Sequence, residues 1–273
     1  MIDAHHHLWN YTDAEFGWIE SDTIRRDFRA PELDTLLTEN GVSGAVAVQA
    51  RTSLEENDFL LAEAATSQTI KAVVGWVDLK SPEAGAQIDQ YAGNPLFKGL
   101  REITQGAPDQ DFLDHPDFHR GIREITARGL SYDVLIFQDQ IASATRFIDQ
   151  HPNQRFVLDH AAKPEIRTAA YPDTWESQLR EMAKRDHLVC KISGLVTEVR
   201  DASWDNALMA RYFDVLLDAF GPDRLMFGSD WPVSLLASSY TRWKDCVTQH
   251  LSQLSQDEQS AIFTKTATRF YQL

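Results

Sequence analysis

Short apolar segments alternate along the chain with longer segments whose apolar residues recur at helical spacing. This order is typical of parallel strands joined by crossover helices. Several short segments are continuous runs of Val, Ile, Leu and Phe, as expected for strands covered on both faces. The pattern predicts eight strands, at residues 2–9, 44–50, 72–79, 97–103, 131–136, 155–161, 188–194 and 224–231.

Amphipathic segments between these strands predict helices. Gly41, Gly129 and Gly221 each follow such a segment, where glycine commonly ends a helix in a left-handed conformation. Eight strand–helix units predict an α/β protein with the (β/α)8 TIM-barrel fold. A doubly wound open sheet also alternates, but no glycine-rich phosphate loop follows any strand. The clearest predicted helices lie at residues 55–66, 116–128, 140–150, 174–185, 207–220 and 256–271.

The chain of 273 residues is close to the roughly 250 that such a barrel commonly needs. No internal repeat or linker interrupts the order, so residues 1–273 are predicted to form a single domain. The most irregular stretch, 105–115, is rich in Gly, Pro, Asp and Gln and follows the fourth strand. Because active sites of these barrels are built from the loops after the strands, this loop is expected to shape a substrate pocket.

Composition excludes several classes of function. The chain has 41 acidic and 26 basic residues and a formal charge of −15, which would repel nucleic acid and anionic membranes. It contains no apolar run of the length that spans a bilayer and no signal-peptide pattern at its start, so a cytoplasmic protein is expected. Cys190 and Cys246 do not have zinc-site spacing and are expected to be reduced packing residues. The sequence leaves the oligomeric state open, a homo-oligomer included.

Candidate chemistry begins at the end of the first strand, where His5, His6 and His7 are consecutive. Because alternate residues of a strand point to the same side, His5 and His7 can face the barrel axis together while His6 points away. Two converging imidazoles suit a divalent metal such as zinc, which binds nitrogen at about 2.0–2.1 Å. The alternative is a chance histidine run or a fragment of a purification tag.

Two further strands end in candidate ligands. His160 follows the apolar run that begins at Arg155, and Asp230 follows the run that begins at Arg224. Taken alone, His160 could be a satisfied structural histidine, and Asp230 could cap the turn before Pro232. With His5 and His7 at equivalent strand ends, the four side chains predict one metal site. A metal lowers the pKa of water, so Asp230 is the best candidate for a general base.

The order of these motifs resembles the amidohydrolase-2 group of the amidohydrolase superfamily, in particular its sugar-lactone hydrolases. The motifs are HxH at the first strand, DHxxKP from Asp159 and GSDWP from Gly228. No single motif is specific, but the combination is. Further matches span nearly the whole chain, at residues 48–50, 75–79, 99–101, 132–134 and 190–195.

The resemblance implies an enzyme of carbohydrate metabolism that opens a lactone of the L-fucono or L-rhamnono type to the free acid. It implies one divalent metal, most simply zinc, with His160 and Asp230 as catalytic residues and a small sugar lactone as the partner. No nucleophile elbow is present, which disfavours a covalent serine mechanism. The residues implied to contact the substrate are Gln49, Arg51, Trp76, Asp78, Arg101, Tyr132, Lys163, Lys191 and Trp231.

Three alternatives stay open at this point. Lactone hydrolysis in this family can proceed without a metal, in which case the histidines would donate hydrogen bonds to the carbonyl oxygen. Other relatives are decarboxylases, or hydrolyse amides or other esters; a decarboxylase would need cationic groups such as Arg51, Arg101 or Lys191 aimed at a carboxylate. A barrel that only binds a metal or a sugar is the alternative without catalysis.

The sequence departs from the family pattern at two positions. Ala162 stands where the DHxxKP turn of the family has glycine, and Glu102 stands where the family has histidine after Gly99 and Arg101. Alternation along the strand allows only one of Arg101 and Glu102 to point inward. Glu102 could be a metal ligand, a partner for a substrate hydroxyl, or an exposed loop residue paired with Arg101. We expect it to face the pocket.

Overall fold

Eight parallel strands form the centre of the protein in a computed structural model, which describes residues 1–107, 112–168, 170–201 and 203–273. Each strand pairs with the next one along the chain, in the order β1 to β8. The strands are β1 (Ile2–His6), β2 (Gly44–Val48), β3 (Ile70–Gly75), β4 (Phe97–Ile103), β5 (Ser131–Leu135), β6 (Phe156–Leu158), β7 (Leu188–Ile192) and β8 (Leu225–Phe227).

The sheet closes where β8 meets β1. His6 and Trp231 form a parallel bridge, the His7 amide donates to the Trp231 carbonyl at 2.7 Å, and the Asp230 amide donates to the His5 carbonyl at 2.8 Å. The predicted (β/α)8 barrel is therefore confirmed, and a doubly wound open sheet is excluded. Three of the four candidate ligands, His5, His7 and Asp230, lie at this closure.

Helices surround the barrel. Among the described residues they are α1 (Ala30–Glu39), α2 (Leu54–Thr66), α3 (Ala84–Tyr91), α4 (Pro116–Ala127), α5 (Ile141–Asp149), α6 (Asp173–Met182), α7 (Asn206–Phe220), α8 (Tyr240–Leu251), α9 (Gln256–Ser260) and α10 (Thr266–Tyr271). A π-helical turn, Ala261–Lys265, joins α9 to α10, so the predicted last helix is one continuous segment. No helix of these described stretches is long and apolar enough to cross a membrane.

The predicted helix ends after α1, α4 and α7 are confirmed by backbone geometry. Gly41, Gly129 and Gly221 have φ of +69°, +67° and +69°, a region that disfavours residues with a Cβ. Most strands end earlier than predicted, because their last residues leave the sheet to build the loops at the barrel mouth. Residues 108–111 of the predicted loop 105–115 lie outside the described residues.

Two apolar layers hold the barrel together. A large cluster fills the space between the strands and the helices, and a smaller cluster fills the lower part of the barrel interior. Apart from Met226, the strand side chains of the smaller cluster are small or branched, and Ala267, Phe270 and Tyr271 of α10 close the cluster from below. Its strand members are Ile2, Ala4, Val46, Val48, Ala72, Val74, Val157, Val189 and Met226.

Candidate active site

The two histidines of β1 point to one place, as the alternation of a strand predicts. His5 and His7 are both buried, and their Nε2 atoms lie 3.2 Å apart. The Nδ1 atom of His7 lies 2.8 Å from the Val48 carbonyl oxygen. Because a carbonyl oxygen can only accept, Nδ1 of His7 is the donor. The Nε2 atom of a neutral His7 therefore presents a lone pair to the site.

His160 reaches the same place from a left-handed turn after β6. Residues His160, Ala161, Ala162 and Lys163 all have positive φ, between 47° and 60°. Each such residue costs about 1–2 kcal/mol relative to right-handed backbone, and strain of this kind concentrates at functional sites. The turn aims both His160 and Lys163 at the barrel mouth.

The imidazole of His160 is held from its other side. Its Nδ1 atom lies 2.8 Å from the Ser193 hydroxyl oxygen. Gly194 makes room for the ring, because a Cβ at that position would lie 2.4 Å from Nδ1 of His160. Gly194 also has φ of +65°, so both its conformation and its close approach require glycine.

Asp230 completes the group after β8. Its φ is +58°, and its carboxylate Oδ1 lies 3.4 Å from Nε2 of His7 and 3.8 Å from Nε2 of both His5 and His160. The four side chains predicted to form one site are therefore together. Ligand atoms of His5, His160 and Asp230 all lie within 4.8 Å of one another.

The donor set fits a divalent metal. Zinc bonds of about 2.0–2.2 Å in tetrahedral geometry place neighbouring donor atoms roughly 3.3–3.5 Å apart. The separation between His5 and His7 and those from Asp230 to the three histidines run from 3.2 to 3.8 Å. The lone pair of His7 Nε2 also faces a carboxylate oxygen. Two such acceptors repel each other unless a cation or proton lies between them, so the residues fit the metal that the family resemblance implies.

Burial sets the protonation states of these groups. It lowers the pKa of His160 to about 4, against the opposing charge of Asp230, and lowers the pKa of His5 well below its usual value. Burial alone would raise the pKa of Asp230, but His160, which becomes charged only in acid, and the contacts with His7 and His5 outweigh it and lower that pKa. At neutral pH His5 and His160 are therefore neutral imidazoles and Asp230 is a carboxylate, the forms that bind metals.

Buried charges lie directly beneath the group. Asp159 is fully buried, with Oδ1 at 3.3 Å from Nδ1 of His5 and 2.9 Å from Nζ of Lys191. Its Oδ2 accepts from Arg101 at 3.0 Å. Lys191 also pairs with Asp133. Burial would raise the pKa of Asp159, but Lys191, His5 and Arg101 hold it well below its usual range.

A cavity of about 240 Å³ opens above the four candidate ligands. Its polar lining includes His7, His160 and Asp230. Ile103 and Leu135, paired neighbours on β4 and β5, give it an apolar shelf. In a closed barrel of this order, β4 and β5 lie across the mouth from β8 and β1. The remaining lining residues are Trp18, Ala50, Arg101, Gln105, Lys163 and Val233.

Of the residues predicted to contact substrate, Arg101 and Lys163 line this cavity. Lys191 is fully buried below it, and the buried Gln49 donates its side-chain amide to the Arg101 carbonyl at 3.2 Å. Arg51 lies elsewhere, paired with Glu15 and Glu56.

The aromatic candidates and Asp78 also lie away from the cavity lining. Tyr132 is in the layer between strands and helices, and Trp231 is buried edge-on against Phe28. Trp76 is half-buried at the end of β3, and the exposed Asp78 accepts a hydrogen bond from the Lys80 amide.

Glu102 does not lie in the group of candidate ligands. Its carboxylate accepts hydrogen bonds of 2.8 Å from the Trp76 indole and from the Ile103 amide. Arg101, the alternate residue, is the one that points inward. Burial raises the pKa of Glu102, although the Trp76 hydrogen bond opposes that shift.

Sequence reasoning missed several residues around the site. Asp133 could have been found by alternation, because Ser131, Asp133 and Leu135 occupy one face of β5 and Tyr132 the other. Asp159 adjoins a predicted ligand, but nothing in the pattern shows that it pairs with two cations. Trp18 belongs to the segment between β1 and α1, where spacing gives no guide to which side chains reach the mouth.

The barrel and its site place this protein in a defined class. The chain belongs to the amidohydrolase-2 family, because the model of that family, described as amidohydrolase, matches residues 2–273. It is 40% identical to an L-fucono-1,5-lactonase of Burkholderia multivorans, over 100% of this chain and 96% of that protein. It is 35% identical to an L-fucono-1,5-lactonase of Burkholderia ambifaria, over 100% of this chain and 95% of that protein.

A solved structure of an amidohydrolase has the same fold. The crystal structure of an amidohydrolase from Burkholderia multivorans with bound zinc has a TM-score of 0.93 and 39% sequence identity. The match covers 100% of this chain and 99% of that chain.

Proposed function

We propose that this protein hydrolyses a sugar-acid lactone of the L-fucono-1,5-lactone type to the open-chain acid. The observation that carries the proposal is the convergence of three imidazoles and the Asp230 carboxylate, of which His7, His160 and Asp230 line a cavity of about 240 Å³ that suits one small ring. The two Burkholderia relatives bear the name of that activity over nearly their full lengths.

In the proposed reaction Asp230 moves the proton. A water oxygen attacks the lactone carbonyl carbon while Asp230 accepts a proton from that water. The ring C–O bond then breaks, and Asp230 returns the proton to the departing alkoxide. Its lowered pKa keeps the carboxylate ionised at neutral pH, the form that can accept a proton.

His5, His7, His160 and Asp230 would hold one divalent metal, for which zinc is the first candidate. When bound, the metal polarises a carbonyl oxygen and lowers the pKa of water. The metal-free alternative needs the imidazoles to donate hydrogen bonds to the substrate. That role suits His7 poorly, because its proton is on Nδ1, which donates to Val48.

The cationic side chains are paired with carboxylates of the protein. This pairing argues against a decarboxylase, which needs positive groups aimed at a substrate carboxylate. Arg51 pairs with Glu15 and Glu56, and Arg101 pairs with Asp159. Lys191 is fully buried among carboxylates. Lys163, the other cation of the cavity lining, lies 3.8 Å from Glu198. Each lining cation among the described residues therefore has an acidic partner, which suits an uncharged lactone.

The apolar shelf of Ile103 and Leu135 favours a substrate that carries a methyl group rather than a hydroxymethyl group. L-Fucono-1,5-lactone carries a methyl group where L-galactono-1,5-lactone carries a hydroxymethyl group. Desolvating that hydroxyl without a partner costs about 1–3 kcal/mol. Trp18, 48% exposed at the cavity mouth, offers a further apolar face.

Proton release from a panel of lactones tests the proposal. We expect hydrolysis of L-fucono-1,5-lactone well above its spontaneous rate, with a lower kcat/KM for L-galactono-1,5-lactone. Metal analysis of the same protein should give bound zinc or another divalent ion, and removing it with a chelator should abolish turnover. Rates equal to the spontaneous ones for every lactone would contradict the proposed activity, and full activity without metal would contradict the proposed cofactor.

A further inference from the structure

Four charged side chains fill the interior of the barrel below the candidate ligands. Asp133, Asp159 and Lys191 are completely buried, and Arg101 is 3% exposed. Two negative and two positive charges balance, as burial of ionised groups requires. Replacing such a network by apolar residues is often neutral or stabilising, so stability alone does not account for it.

Lys191 is the centre of this charged layer. The ammonium of Lys191 donates to the Asp133 carboxylate and lies 2.9 Å from Oδ1 of Asp159. A neutral His5 that binds a metal through Nε2 carries its proton on Nδ1, and Oδ1 of Asp159 is the acceptor facing that atom, at 3.3 Å. Nζ of Lys191 is itself 3.1 Å from Nδ1 of His5, so the position of the ammonium sets both the carboxylate and the space that orient the His5 ring.

The charged layer is anchored from the opposite end of the barrel. Tyr271 belongs to α10, whose side chains close the apolar lower interior. Its hydroxyl extends past that apolar layer to Asp133, at 3.0 Å from Oδ2 and 3.2 Å from Oδ1. A single series of contacts thus runs from Tyr271 through Asp133 and Lys191 to His5.

We propose that Tyr271 is a positioning residue for the active site, acting through Asp133 and Lys191 to fix the His5 imidazole. The inference rests on the proposed function only in treating His5 as part of the site. Without the Tyr271 hydroxyl, Asp133 loses a donor and turns toward Lys191, so the ammonium and the His5 ring shift with it. Outer-shell partners of metal-binding histidines typically change metal affinity or activity by about 10- to 100-fold when mutated.

Tyr271→Phe tests this with the loss of one oxygen atom, and Tyr212→Phe is the matched control. Tyr212 is equally buried in the outer layer, and its hydroxyl has no hydrogen-bond partner among the described residues. We expect Tyr271→Phe to lower kcat on the best lactone, or affinity for Zn²⁺, by roughly tenfold, with KM nearly unchanged. Tyr212→Phe should change neither. A Tyr271→Phe variant that loses thermal stability but keeps kcat and Zn²⁺ affinity would show a purely structural role and overturn the proposal.

A second variant keeps the test decisive should Tyr271→Phe fold poorly. Asp133→Asn keeps the shape of the side chain but removes a charge from the layer, and we expect a loss of kcat or Zn²⁺ affinity at least as large. The double variant should lose no more than Asp133→Asn alone, because Tyr271 acts through Asp133. Additive losses would overturn the proposed route.

Zn²⁺ affinity separates this inference from the proposed function. It is measured by competition with a chromogenic chelator and needs no substrate. An enzyme inactive on every lactone would refute the lactonase proposal, while a tenfold weaker Zn²⁺ affinity in Tyr271→Phe alone would still support the positioning role. Unchanged affinity and unchanged turnover in both Tyr271→Phe and Asp133→Asn would refute the positioning role whatever the substrate.

Discussion

The lower and upper halves of the barrel interior are built from the same strands but from opposite kinds of side chain. On β6 and just after it, Val157 lies in the lower half and Asp159 in the upper half. On β7, Val189 lies in the lower half and Lys191 in the upper half. Two residues along a strand therefore separate an apolar core from a network of buried charges.

This difference separates stability from function within one interior. The lower half gains free energy by removing methyl groups from water. In the upper half, taking ions out of water is unfavourable, and ion pairing offsets this penalty only while every partner is present. Barrels of this class carry their active sites at the C-terminal ends of the strands. The half with the buried charges is therefore the one that faces the substrate.

Loss of the carboxylate at the top of the barrel should have the largest effect. Asp230→Asn keeps the shape of the side chain but cannot accept a proton, so kcat should fall by about 10²- to 10⁴-fold. Steady-state kinetics and circular dichroism measure activity and fold together. Asp245→Asn, an exposed aspartate on α8, is the control and should keep full activity. Turnover within a few-fold of the parent in Asp230→Asn would rule out Asp230 as the base.

Equivalent changes in the two halves should have different consequences. Lys191→Met leaves Asp133 and Asp159 without their shared cation and should cost about 3–5 kcal/mol of unfolding free energy together with activity. Val189→Ala, two residues earlier, should cost about 2 kcal/mol and leave kcat unchanged. Urea unfolding and kinetics on both variants measure the difference. If Val189→Ala reduced kcat as strongly as Lys191→Met, the two halves would not be functionally distinct.

Glu102 lies at the edge of the upper half, outside the charged layer. Its two carboxylate oxygens accept from Trp76 and Ile103, and an amide can satisfy only one of those donors. Glu102→Gln should therefore cost about 2 kcal/mol of stability while metal content and KM stay normal. Reduced metal content would instead identify Glu102 as a ligand, and a raised KM with full metal content would identify it as a substrate contact.

The sequence alone was sufficient for the barrel, which follows from local periodicity, and for the convergence of His5, His7, His160 and Asp230, which follows from their places at strand ends. It was not sufficient for Glu102, which contacts Trp76 and Ile103 instead. Eight apolar segments predict the strands, and alternation places His5 and His7 on one side. The surroundings of the site were not predictable in the same way. Whether Lys191 meets substrate or Asp133 depends on the stagger between strands, and the reach of Tyr271 depends on how α10 docks. Those are tertiary distances that no spacing in the sequence encodes.

The smallest expected effect tests whether the lower end of the barrel contributes to stability alone. Gly129 ends α4 just before β5, has φ of +67°, and has no atom within 4 Å of where a Cβ would lie. Gly129→Ala therefore meets no clash, but its backbone is strained, and it should cost about 1 kcal/mol without changing kcat/KM. Gly93→Ala is the matched control, since Gly93 has equally open space and no positive φ, and it should be neutral or slightly stabilising. Thermal unfolding of both variants, at roughly 2–4 °C per kcal/mol in a chain of this size, resolves the difference. A reduced kcat/KM in Gly129→Ala would mean that the lower end also shapes the site.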